Sequence, residues 1–362
     1  MGLPGCAGKS RHGSGRREHA GAQETLLGSR AVELSGVIIQ MKQSTAGFGV
    51  SRPLIERLSD RAFQGITFVL ALAILFLVVA LLVSMIGPSS LAFSRFGFGF
   101  LTSSAWNPVT EEFGALPAIY GTVVSSVVAL VIAVPLGIGS AVFLVELAPT
   151  WLSRPLSLLI ELLAAIPSVV IGLWGTLVFV PALEPVEAAI GSALGFIPLF
   201  SGSAMGIGML AASFVLAVMV LPILTAVIRD ILTAVPANQR EAMLALGATR
   251  WETIVRAVLP YGQSGIVGAI ILALGRALGE TLAVTMVIGN TYKVSASLFA
   301  PATTLASLVA SQFREADSDV YLSALIAVGV VLFAIAVIVN ILARLLVWRV
   351  SSRPVGVATG GA

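Results

Sequence analysis

The sequence predicts an all-α integral membrane protein with six transmembrane helices. Three observations carry that prediction. Hydrophobic residues make up 57% of the 362-residue chain and charged residues only 11%, against roughly 25% charged in an average soluble domain. The mean hydropathy is +1.00. Six long stretches are nearly free of charge, and Lys and Arg collect on alternate connections between them. A soluble fold of this size needs far more charge to cover its surface. A soluble globular protein, a disordered chain and a nucleic-acid binder are therefore excluded.

Ala62–Gly87 supplies the first helix. It follows a long tail, and its apolar part exceeds the roughly 7–15 residues of a signal-peptide core, so it reads as an uncleaved span. Phe113–Val145 is the second. Pro155–Leu183 is the third, interrupted only by Glu161 near the polar end that follows Arg154. Ala188–Ile228 is the fourth, with its dense apolar part from Ile207. Ala257–Tyr292, interrupted by Arg276 and Glu280, is the fifth, and Val320–Ala343 the sixth. Each has the roughly 20 apolar residues that one crossing needs. Pro135, Pro167 and Pro222 fall inside these runs and are expected to kink their helices. Gly137, Gly139, Gly172 and Gly175 are expected to serve close helix packing.

Orientation follows from the basic residues. The tail 1–61, the segment 147–154, the segment 229–256 and the C-terminal end carry seventeen Lys and Arg. The intervening connections carry three, Arg95, Lys293 and Arg314. This asymmetry places both termini in the cytoplasm. The outer connections hold Glu111, Glu112, Glu184, Glu187, Glu315, Asp317 and Asp319, either a solvated rim or a docking surface for an external partner. The organisation is thus a cytoplasmic tail 1–61, a first helix 62–87, a core 113–348 of five helices with a cytoplasmic loop 229–257, and a tail 349–362. Residues 1–40 are rich in Gly, Ser and Arg without a sustained period, and Met41 is a candidate natural start; a disordered tail is the alternative.

Several chemistries are excluded. Cys6 is the one cysteine, and His12 and His19 lie in the tail. No intramembrane metal site, disulfide or nucleophile–histidine pair follows, so no catalytic residue and no metal ligand is expected. Gly8-Lys9-Ser10 resembles the end of a phosphate-binding loop, but Leu3 stands where that motif needs Gly. No ATP site on this chain is expected.

The connection between the fourth and fifth runs is the most informative. Asn238 can cap a helix with Glu241 at its third position, and Ala242, Met243 and Leu244 favour helix. Gly247 suits a left-handed or close-packed turn. A second helical stretch, Thr249–Val258, then leads back toward the membrane. In the fifth run Arg276 and Glu280 stand four apart, as on one helix face. Arg followed by Glu is the weaker order for helix support. An Arg at the bilayer centre costs about 2.5–3.5 kcal/mol on insertion scales. The pair fits an anion pathway, with Arg276 as attractor and Glu280 holding it. It equally fits a structural ion pair.

Two sets of motifs carry a resemblance. Glu241-Ala242-Met243, Gly247, Ala257 and Leu259-Pro260 follow E-A-A-x3-G-x9-I-x-L-P, departing at Met243 and Ala257. The sequence here resembles bacterial ABC importer permeases of the type I, MetI-like fold. The resemblance implies that Glu241, Ala242, Gly247 and Ala248 belong to a coupling helix docking on a separate ATPase. Trp106-Asn107-Pro108, Phe113–Pro117, Gly121-Thr122, Ala165–Val170 with Gly172, Trp174 and Gly175, and Gly275–Thr281 form the second set. They resemble the PstC family of phosphate-importer permeases over about Leu54 to Arg349. That family implies phosphate transport through Arg276 and Glu280. It also implies a PstA-like permease partner, a dimer of PstB-like ATPases that carry the ATP and Mg, and a PstS-like phosphate-binding protein. No cofactor is expected on this chain. A bacterial inner-membrane location follows. A permease for sulfate or molybdate is the alternative within the class, and a self-contained channel or secondary transporter the alternative outside it.

Overall fold

The computed structural model describes residues 54–351, with side chains from Ala62 onward except Leu346, Arg349, Val350 and Ser351. The Gly8-Lys9-Ser10 triplet, Cys6, both histidines, the candidate start at Met41 and Arg353 lie outside the described residues. Six described helices are long and apolar enough to cross a membrane. A helix satisfies its backbone N–H and C=O groups internally, which is what lipid demands. The described residues divide after Leu77 into two units, 54–77 and 78–351.

Helix α1, Leu54–Phe96, contains the first span. From Ala62 to Leu77 every side chain is exposed, as suits a helix whose solvent is lipid. The helix runs past Gly87, where the apolar run ends, because its polar continuation keeps its own bonds. The Ser89 and Ser90 hydroxyls donate to the carbonyls of Ile86 and Gly87 at 3.0 and 2.6 Å. Pro88 sits inside the helix. Ser323 inserts between Pro88 and Ala92: its hydroxyl donates to the Pro88 carbonyl at 2.7 Å and accepts from the Ala92 N–H at 2.9 Å.

A short helix α2, Gly99–Thr102, leads to a two-stranded antiparallel hairpin, β1 Trp106–Asn107 and β2 Glu112–Phe113. Asn107 makes its turn, with Oδ1 accepting from the N–H groups of Val109 and Thr110 at 3.0 and 3.4 Å. Arg95 pairs with Glu111 at 2.7 Å across the turn. The Arg95 hydrogen bond holds the Glu111 carboxyl below its ordinary range.

The second span, α3, is Leu116–Leu147, widened to a π-turn over Phe143–Leu147. The third charge-poor run proves to be two elements. α4, Thr150–Ala164, is amphipathic and has no buried residue; at 15 residues it is too short to cross. α5, Ser168–Leu194, is the third span and holds a π-turn at Gly175–Phe179. Pro167 separates the two as the residue before α5, so it starts a helix rather than kinking one. Extended backbone at Pro167 is what the break requires. Extending α5 to Leu194 also removes Glu187 from the outer rim. Its side chain is fully buried and accepts the Gly206 N–H at 2.9 Å.

The fourth span, α6, is Met209–Thr233. It is the most buried of the six. Leu224 of α6 lies where a side chain at Gly137 of α3 would stand, so α3 and α6 approach closely there. Gly172 and Gly175 likewise meet Ala283, Val215 and Val287. Gly139 does not: it faces open space beside a cavity of about 460 Å³ between α3 and α4. After α6 come α7, Ala237–Ala245, and α8, Arg250–Gly279, the fifth span, with a π-turn at Ile254–Val258. Then follow α9, Leu282–Val287, α10, Leu305–Gln312, and α11, Asp319–Ser351, which holds the sixth span.

The start of α3 is enclosed by aromatics. Phe113 stacks on Tyr321 with ring centroids 5.0 Å apart, and Trp106 meets Phe113 edge-on at 5.0 Å. The Tyr321 hydroxyl donates to Gln312. Gly121 brings α3 against the extended backbone before α10: a Cβ there would stand 1.9 Å from the Thr303 carbonyl oxygen. Next to it, Thr122 Oγ1 accepts the Leu305 N–H at 2.8 Å, satisfying one of the free donors at the start of α10.

Candidate coupling loop and anion site

The loop between α6 and α8 contains the predicted helix, with different caps. α7 follows Pro236 and has no side-chain cap, so Asn238 and Glu241 do not form the expected capping box. Asn238 lies inside the helix, two residues past the cap position. The box stands on the next helix instead. Thr249 accepts the Glu252 N–H at 3.2 Å, and Glu252 accepts the Thr249 N–H at 2.9 Å.

The predicted Gly turn is present. Gly247 has φ +82°, its N–H donates to the Leu244 carbonyl at 3.0 Å, and the Ala248 N–H donates to Met243 at 3.1 Å. That pair of bonds is the Schellman ending of a helix, which favours a residue without a Cβ at the left-handed position. Glu241, Ala242 and Gly247 are exposed and Ala248 is half-buried. Beside them Leu244 is 49%, Leu246 85% and Trp251 68% exposed. A projecting helical turn with uncovered apolar side chains is a surface built to be covered.

Arg240 of this loop is tied inward, which no local sequence pattern signals. Arg240 Nη2 and Nε reach Glu146 Oε1 at 2.8 and 3.0 Å. Its Nη1 and Nη2 also donate to the carbonyls of Val235 and Leu232 at 2.6 and 2.8 Å. Glu161 is paired as well, with Arg229 at 2.9 Å, which joins α4 to the end of α6. Both partnerships connect residues far apart in the chain, so neither leaves a local pattern.

The second site lies where α8 ends. Arg276 stands in the last turn of α8, exposed, where the carbonyl ends of the helix favour a cation. With Ile223 of α6 and Asn340 of α11 it lines a cavity of about 310 Å³. Glu280 is not on the same helix face. α8 stops at Gly279, and Glu280 has extended backbone, with φ −70° and ψ 128°. Its Oε1 turns forward to accept the Ala283 N–H at 3.4 Å, at the start of α9. The expected helical pair is therefore absent, because the break between Glu280 and Leu282 ends the four-residue repeat. Among the described residues, the salt bridges are Arg95–Glu111, Arg229–Glu161, Arg229–Asp230 and Arg240–Glu146, and Arg276 is in none. A guanidinium on a broken helix, beside an amide, offers a planar fork of donors that suits an oxyanion. Asn340 is the member that sequence reasoning missed; it sits within an otherwise apolar span, which is the signal that marks it.

Comparison with known proteins decides the family. Residues 133–352 match the family described as binding-protein-dependent transport system inner membrane component. The phosphate transport system permease protein PstC of Mesorhizobium japonicum is 47% identical over 301 residues, covering 82% of this chain and 92% of the relative. The chain belongs to the PstC family of transport permeases. The Pasteurella multocida member is 46% identical, covering 83% and 95%. PstC 2 of Mycobacterium tuberculosis is 40% identical, covering 80% and 90%. A solved bacterial ABC transporter involved in the import of the acidic polysaccharide alginate has TM-score 0.55 at 17% identity, covering 81% of this chain and 99% of that one. That last likeness bears on the fold alone: this chain has the fold of an ABC transporter permease.

Proposed function

We propose that this chain is the permease subunit of an ATP-driven importer of inorganic phosphate and forms half of the translocation path. The observation that carries the reading is likeness over more than four fifths of the chain to proteins named phosphate transport system permease PstC. The position of Arg276, in no ion pair of the described residues and on a cavity wall, supports it. The chain performs no chemistry of its own. A separate PstB-like ATPase pair, carrying ATP and Mg, docks on α7 around Glu241, Ala242, Gly247 and Ala248. A PstA-like permease completes the path, and a PstS-like protein delivers phosphate from outside. The loop 229–257 and both termini face the cytoplasm of a bacterial inner membrane, in keeping with the distribution of Lys and Arg. ATP binding draws the ATPases together, α7 moves with them, and the path changes the side to which it opens.

The test is ATP-dependent uptake of radiolabelled phosphate by vesicles holding the full complex. Arg276→Ala is expected to leave assembly intact and to lower uptake roughly 10- to 100-fold, the worth of charge-assisted hydrogen bonds to an oxyanion. Excess sulfate is expected not to compete. Uptake by the variant at the wild-type rate contradicts the pathway role. Competition by sulfate returns the oxyanion alternative. Uptake without ATP returns the channel reading.

A further inference from the structure

We propose that Arg240 is the positioning residue through which displacement of α7 reaches the membrane helices. The inference rests on the importer reading, since it gives that reading its mechanical link. α7 has no buried residue, and only Arg240 and Met243 on it are even half-buried. Its outer face is therefore free for a partner, and its hold on the rest of the chain is narrow. Beside the packing of α7 on the start of α8, Arg240 ties it to α3 and α6 through four hydrogen bonds. Two go to Glu146, in the π-turn that ends α3. Two go to the carbonyls of Leu232 and Val235, at and just past the end of α6.

The chemistry makes this link stiff. The last carbonyls of a helix have no partner within it and carry the negative end of its dipole, so a cation placed there is held twice over. The Glu146 side chain is only 13% exposed. Removing its partner leaves a largely desolvated carboxylate, which is far costlier than losing an exposed pair. A lysine cannot stand in. It carries one compact ammonium and lacks the planar fork that serves a carboxylate and two carbonyls together. α3 and α6 pack directly against each other, with Leu224 seated on Gly137. A pull on α7 therefore acts at once on both members of the central pair, at the same end of each.

The complete complex in liposomes tests this, with phosphate uptake and ATP hydrolysis measured on the same samples and referred to assembled complex. Arg240→Lys is expected to assemble and to hydrolyse ATP. Its phosphate taken up per ATP hydrolysed should fall roughly 2- to 30-fold, the span seen for residues that carry coupling between sites. Glu146→Gln keeps an acceptor oxygen and loses the charge; it should lower the same ratio by less. A merely structural role moves the amount of complex, or both rates together, and leaves the ratio alone. An unchanged ratio in either assembled variant overturns the proposal. A wild-type complex that transports no phosphate with ATP overturns the importer reading and this inference with it. That failure is visible in the control, before any variant is compared.

Discussion

The two ends of α3 are held by opposite means. At its start, Phe113, Trp106 and Tyr321 interlock, and Gly121 lets backbone meet backbone at Thr303. Phe113 and Tyr321 are 2% and 1% exposed. At its end, Glu146 meets one arginine from a loop whose apolar side chains face outward. The first end is fastened by buried ring contacts and a close backbone approach. The second is fastened by hydrogen bonds and exposes what another surface would bury. The importer proposed above would use this division, with one end kept intact through the cycle and the other answering to a partner.

Substitutions can break or sharpen that contrast. Phe113→Ala should have the largest effect, destabilising by about 3–5 kcal/mol because it opens a cavity in the aromatic cluster. Thermal unfolding in detergent, followed by tryptophan fluorescence, measures it. Gly121→Ala should cost about 1–3 kcal/mol by overpacking, since the obstacle is the Thr303 carbonyl rather than a flexible side chain. The same melt, together with hydrogen exchange at Leu305, locates the damage. Thr249→Ala at the other end should cost only about 1 kcal/mol by removing a helix cap. Its effect should appear as faster exchange in residues 249–253 with an unchanged global melt. A global shift as large as that of Gly121→Ala would erase the contrast.

The spans were legible because lipid imposes a length and a charge rule that need no tertiary information. Gly247 was legible for a similar reason: its conformation is a local demand of the helix ending. Apart from Gly139, which faces open space, the misreadings concern helix boundaries. Charge-poor sequence hides the division between α4 and α5, since Ala165, Ile166 and Pro167 are as apolar as what surrounds them. It also hides the end of α8 after Gly279, which turns an expected Arg276–Glu280 pair into two residues with separate tasks. Asn238 has a side chain that can serve as a cap, but the cap position of α7 falls two residues earlier, at Pro236. Arg240 and Glu146 were invisible because their meeting depends on how α3 and α6 end side by side, which no local pattern records.

α4 has a consequence for how the chain is made. Glu161 is held by Arg229, which is synthesised 68 residues later. α4 meets the end of α3, already made, along the cavity lined by Leu156 and Ile160. Its contact with the end of α6 cannot form until α5 and α6 have both been synthesised. The order of synthesis thus divides the docking of this small helix into an early contact and a late one.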